Sequence, residues 1–164
     1  MTDEFKAENQ FRLNENLPRI KKCLSLLTEE QVWFSPNKNT NSVGNLILHL
    51  AGNIRQYGIT GLSKKTDNRN RNEEFSANGT RTKQELFDLI SSTISEACTI
   101  LTKMSLEQLK EMYSIQGFEL NGVSVAVHIT EHLSYHVGQI ALLTKLITNQ
   151  DLEFYADLDL SITS

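Results

Sequence analysis

Histidine is the side chain in this sequence best placed to do chemistry. Three of the four histidines fall in one stretch, His128-Ile-Thr-Glu-His132-Leu-Ser-Tyr-His136-Val-Gly-Gln139. Their spacing of four and four stacks them one turn apart on one face of a helix, because the helical repeat is about 3.6 residues. Val125, Ile129, Leu133, Ile140, Leu143 and Ile147 recur around them at helical spacing. On a helical wheel His132 and His136 share the sector of Val125, Ile129, Leu143 and Ile147, which turns both imidazoles toward a bundle core. Two imidazoles in an apolar stripe are costly to bury unless each ring nitrogen has a partner. A bound metal ion suits that arrangement best. The fourth histidine, His49, shares one side of its own helix with Asn45, Leu46, Asn53 and Gln56, flanked by Val43, Leu50, Ile54 and Tyr57. It too faces inward, with carboxamides above and below. Buried amides need partners. Holding a metal-ligating ring in place is one use for them; an interhelical hydrogen bond without metal is the other.

Two motif readings compete for the last helix. His128-Ile-Thr-Glu-His132 matches the H-x-x-E-H string of inverted zinc proteases, in which the two histidines bind zinc and the glutamate is the general base. Glu131, however, lies roughly 100° from His132 on the wheel, and no helical segment follows to supply another ligand. The second reading takes His132-x-x-x-His136-x-Gly-Gln139 with His49 as third ligand, and it is preferred. Three neutral imidazoles and an open position describe a catalytic-type zinc site, and imidazole also suits nickel, iron or copper. His128 then supports a ligand ring or lines the pocket, with direct ligation as the alternative. Gln139 holds a ligand ring or a metal-bound water, or is a helix-packing amide. Asn53 and Gln56 fall in the same supporting group, and Tyr135 is read as aromatic packing beside the site, with an acid as the alternative.

These residues need rods to hold them. A chain of 164 residues is read as one domain, residues 1–164, able to bury a core without disulfides. Cys23 and Cys98 are read as core residues. A net charge of −4 gives no global attraction for nucleic acid or anionic membrane. The polar N-terminal residues and the lack of a long apolar run predict a soluble, reducing, cytoplasmic setting. Asn78-Gly79-Thr80 spells a glycosylation acceptor, read as chance in that setting. Leu13, Leu17, Ile20, Leu24 and Leu27 form a bundle seam in a first helix over Asp3–Leu27, with a kink or a restart at Pro18. A connection follows, whose Trp33-Phe34 pair is expected to pack under one end of the bundle. Ser42 caps a second helix over Val43–Leu62. The polar stretch Ser63–Arg81 is too long for a tight turn. It is read as a crossover running the length of the bundle, so that helices two and three lie parallel. Its group Asp67, Arg69, Arg71, Glu73 and Glu74 is read as solvated or salt-bridged, with an anion site as the alternative. Thr82 and Glu85 form a capping box opening a third helix through Leu86, Ile90, Ile94, Ala97 and Leu101. A short turn after Ser105 and a small ribbon near Met112–Gln116, with Asn121-Gly122 as a turn signal, lead to the fourth helix, Val123–Thr148. The acidic tail (Leu152, Phe154, Tyr155, Leu158, Leu160) frays or packs on a neighbour.

The run Asn45-Leu-Ile-Leu-His49-Leu together with His-x-x-x-His-x-Gly-Gln resembles the DinB/YfiT-like superfamily of metal-binding four-helix bundles. The likeness covers nearly the whole chain in the order of its elements. The longer run around His49, followed by Asp67-x-Arg-x-Arg-x-x-Glu-Phe75, looks like an uncharacterised subgroup. The resemblance implies an all-α, up-down-down-up bundle, a homodimer, and one divalent ion, zinc or nickel, held by His49, His132 and His136. Relatives with known activities are mostly thiol-cofactor enzymes, so it also implies an S-transferase in which the ion activates a low-molecular-weight thiol against a small-molecule electrophile. Arg69 and Arg71 would then hold the thiol's carboxylates. The alternatives are a metal-dependent hydrolase and a non-catalytic, stress-related metal-binding protein. A role on DNA, carried only by the superfamily's name, conflicts with the net charge and the lack of a basic helix face.

Overall fold

Capping residues decide where the rods begin. The computed structural model describes residues 2–162. Helices α1 (Thr2–Asn14) and α2 (Asn16–Leu26) form the first rod, interrupted at Glu15. Pro18 has no N–H to offer the carbonyl of Asn14, and its ring crowds that carbonyl. The break therefore falls one turn ahead of the proline and not at it. Leu13, Ile20, Leu24 and Leu27 of the predicted seam are buried. A short α3 (Glu29–Val32), capped by Thr28, occupies the connection. Trp33 and Phe34 part company: Trp33 packs so closely on Gly44 that a Cβ there would lie 2.8 Å from its ring, whereas Phe34 is exposed.

Ser42 and Asn45 cap α4 (Val43–Ile54) reciprocally: the Asn45 N–H donates to Ser42 Oγ at 3.1 Å and the Ser42 N–H to Asn45 Oδ1 at 3.2 Å. The rod continues as a π-helical segment, Arg55–Gly61, before the crossover. That crossover carries α5 (Arg71–Ser76), packed on α4, back to α6 (Lys83–Lys103), which opens on the predicted Thr82–Glu85 box. After α7 (Leu106–Lys110), strands β1 (Met112–Ile115) and β2 (Phe118–Asn121) pair antiparallel, Ile115 opposite Phe118. The hairpin turns at Gln116-Gly117, where φ is +54° and +81°. Asn121-Gly122, expected as the turn, instead starts α8 (Gly122–Thr148), with Asn121 Oδ1 accepting from the Ser124 N–H at 2.8 Å.

Cross-helix contacts fix the order. Gln10 reaches Thr102 and Lys83 reaches the Leu27 carbonyl, so the first rod and α6 run antiparallel. Asn9 meets Thr130 and Cys23 meets Thr144, so the first rod and α8 run parallel. Trp33 touches both Gly44 and the Arg81 carbonyl at one end, and Arg55 pairs with Glu96 further along, so α4 and α6 are parallel. The result is the predicted up-down-down-up bundle, with the first rod and α4 each packed on both α6 and α8. In the tail Leu152 is buried, while Leu158 and Leu160 are exposed. Among the described residues no helix is long and apolar enough to cross a membrane.

Candidate metal centre

Because α4 and α8 are antiparallel, His49 meets His132 and His136 while Asn53, one turn further along α4, meets His128. His49 Nε2 lies 2.9 Å from His132 Nε2. Ring centroids are 5.0 Å apart for His49–His136 and 4.5 Å for His132–His136. His49 is buried and the two α8 rings are half-buried, so the cluster is open on one side. One ring nitrogen from each of the three lies within 4.8 Å of the others, and together they could hold a metal ion. A tetrahedral zinc with about 2.0–2.1 Å to each nitrogen sets its ligands about 3.3 Å apart, within the span of this cluster. The donor set also fits in its charge state. Burial, then the neighbouring His136, His49 and His128 rings and Arg69, push the His132 pKa down to about 3. Burial likewise lowers His136, against a hydrogen bond donated to Gln139 that raises it. Neutral imidazole is the form that ligates.

The supporting residues divide clearly. His136 Nδ1 donates to Gln139 Oε1 at 2.7 Å, which leaves Nε2 free to ligate. Asn53 Nδ2 donates to His128 Nε2 at 3.2 Å, and the His128 ring lies between Tyr57, at 4.2 Å, and His132, at 5.4 Å. Asn53 Oδ1 is, among the described residues, the buried side-chain polar atom without a hydrogen-bond partner. Gln56 turns instead to the crossover, accepting from Arg69 Nη1 at 2.8 Å and donating to Asp67 at 2.5 Å. Tyr135 is exposed, with its ring edge-on to His136 at 4.9 Å. Glu131 is exposed too, which suits it poorly to the protease reading.

The sequence groups Arg69 and Glu74 among solvated or salt-bridged charges; the structure shows the salt bridge and places it behind His49, which the sequence reading did not foresee. Arg69 and Glu74 belong to the crossover, yet their side chains are only 6 % and 10 % exposed. Arg69 Nε donates to Glu74 Oε1 at 2.7 Å and Nη2 to Oε2 at 2.8 Å, a two-pronged pair seated over α4. Glu74 Oε2 then lies 3.1 Å from His49 Nδ1. Burial pushes the Glu74 carboxyl up, but the hydrogen bonds from Arg69 and His49 and the charge of Arg69 outweigh it and hold the group below the usual carboxylate range. Gly52 makes the seat: a Cβ there would overlap Glu74 Oε1 and lie 2.9 Å from Arg69 Nε. Asn45 Nδ2 anchors the same segment through the carbonyls of Glu74, at 3.0 Å, and Ala77, at 2.8 Å. The Phe75 ring lies tilted against His49 at 4.9 Å, with Arg71 over the Phe75 ring at 4.8 Å. Both arginines thus have partners within the protein. The signals available were Gly52 on the helix bearing His49 and Phe75 alone in a polar run. Beyond the pair, the crossover roofs an open cleft of about 990 Å³ lined by Leu48, Ala51, Asp67, Asn70, Arg81 and Leu89 among others; none of the histidines lines it.

Solved structures share this architecture. A conserved protein from Enterococcus faecalis superposes with a TM-score of 0.75 at 17 % identity, covering 88 % of this chain and 97 % of its own. The DinB-like protein YjoA of Bacillus subtilis gives 0.68 at 16 % identity, covering 90 % and 96 %. A DinB-like protein of Bacillus cereus gives 0.64 at 14 % identity, covering 82 % and 87 %. The fold is therefore DinB-like. No curated protein matches the chain. The family described as "Protein of unknown function (DUF1572)" matches residues 1–158. With that match spanning nearly its whole length, the chain belongs to the DUF1572 family.

Proposed function

We propose that this protein holds one divalent ion, zinc or nickel, through His49, His132 and His136, and uses it to activate a low-molecular-weight thiol for attack on a small electrophile. The observation that carries the metal reading is the approach of His49 Nε2 to His132 Nε2 at 2.9 Å, with the His136 ring beside both. Three neutral ligands leave the full charge of the ion to act on what binds at the open side. When bound, such an ion supplies Lewis acidity that depresses the pKa of a thiol from about 8.5 toward neutrality. The protein's own part is to hold the His132 and His136 rings neutral, to fix the outer nitrogen of His136 through Gln139, and to present the half-buried α8 face to substrate.

Thiol chemistry is favoured over hydrolysis by where the acids lie. Glu74 is, among the described residues, the one carboxylate hydrogen-bonded to any of the three rings, and it is clamped by Arg69 behind His49. Hydrolysis gains from a general base beside the nucleophile. A thiol whose pKa the ion would lower gives its proton up to water and does not need one. Elemental analysis of protein purified without a histidine tag tests the metal, with near-stoichiometric zinc or nickel expected. Metal-loaded protein should then consume electrophiles faster with small thiols than without them. Turnover that ignores added thiol would sink the transferase and point to the hydrolase.

A further inference from the structure

His49 has two neutral tautomers, and one of them suits an ion held between α4 and α8. With the proton on Nδ1, the Nε2 lone pair faces His132 Nε2, 2.9 Å away. With the proton on Nε2, the lone pair faces backward to Glu74 and Arg69. Glu74 Oε2 and Arg69 Nη2 each lie 3.1 Å from Nδ1. An ionised carboxylate only accepts and a guanidinium only donates, so the two neighbours ask for opposite tautomers. Arg69 has other acceptors: both oxygens of Glu74, the Gln56 amide oxygen, and the His49 carbonyl at 3.5 Å. Glu74 Oε2 would face a bare lone pair at 3.1 Å if Nδ1 carried no proton.

We propose that Glu74, clamped by Arg69 in the notch left by Gly52, is a positioning residue that holds His49 as its Nδ1–H tautomer and so aims the Nε2 lone pair at the ion. This rests on the metal reading above. The crossover thereby acquires a role in the site: Asn45 pins its backbone at Glu74 and Ala77, and Gly52 admits the carboxylate that α4 would otherwise exclude. A carboxylate behind a ligating histidine raises the ring's basicity and fixes its orientation, and losing such a partner costs about 10–100-fold in metal affinity.

Two variants and two readouts test it. Glu74→Gln keeps the shape but offers an amide that can donate to Nδ1. Gly52→Ala displaces the carboxylate without removing any charge, and alanine suits a helix better than glycine. The tautomer of His49 is read from nitrogen chemical shifts of the metal-free protein, and zinc affinity from competition with a chromophoric chelator. Wild type should show protonated Nδ1. Both variants should shift His49 toward protonated Nε2 and weaken zinc binding by about 10–100-fold. Folded variants that keep the wild-type tautomer and affinity would overturn the assignment. If Glu74→Gln does not fold, Gly52→Ala carries the same two readouts. If wild type itself takes up no zinc, the metal reading falls, and the tautomer in metal-free protein decides the role of Glu74 alone.

Discussion

Removing either imidazole that α8 contributes should release the ion and leave the helices standing. His132→Ala and His136→Ala truncate half-buried rings on a long, well-packed helix, so circular dichroism should match wild type while metal content falls below a tenth of it. Metal content near wild type in both would misplace the site. Acid should act in a related way on the metal-free protein. The His132 ring titrates at about 3 in the fold against 6.5 when free, so the unfolded chain binds more protons between those values. Stability is therefore complete above about pH 6.5 and is lost as pH falls toward 3. Glu74 adds in the same direction lower down: its carboxyl is depressed by Arg69 and His49, so its contribution is lost as pH falls through its folded pKa. Urea midpoints between pH 8 and pH 4 check this, and a flat profile would contradict it. The histidines could be read from sequence because their spacing matches a helical repeat. A salt bridge in the group of Arg69 and Glu74 could be read as well, but not its place behind His49: they lie in a segment without periodicity, where charges are ordinarily solvated, and only the docking of the crossover on Gly52 brings them inside.

Among the elements, the crossover depends most on one side chain. Asn45 completes the cap of α4 and holds two carbonyls of the α5 segment. Asn45→Ala should lower stability by about 1–3 kcal/mol, the cost of leaving buried groups unpaired, and should weaken metal binding as well, because Glu74 loses its anchor. Thermal melts and the chelator competition read the two effects. A variant that lost stability alone would detach the crossover from the site. Helix starts were legible at Ser42 and Thr82 because capping is local chemistry. The break at Glu15 follows from Pro18, one turn earlier than a reading that places distortion at the proline itself. The π-helical segment Arg55–Gly61 was not legible, since the side-chain pattern that marks an amphipathic helix does not distinguish a local change in its winding. The hairpin turn was misplaced because Asn121, a good turn residue, is also a good cap, and the start of α8 claims it.

For the molecule as a whole, the length of the Ser63–Arg81 stretch made the parallel pairing of α4 and α6 legible, and with it the order of the bundle. The tail was ambiguous because its apolar residues are scattered; the structure buries Leu152 and leaves Leu160 outside. Leu152→Ala should cost about 2–5 kcal/mol, and Leu160→Ala about 0.5 kcal/mol or less, by denaturant titration. The meeting of His49 and His132 joins positions 83 residues apart in the chain. An ion shared by those rings would work as a reversible cross-link, knitting the middle of the polypeptide to its last long helix. Hydrogen exchange should then slow in both helices together when zinc is added, by an amount that rises with zinc concentration.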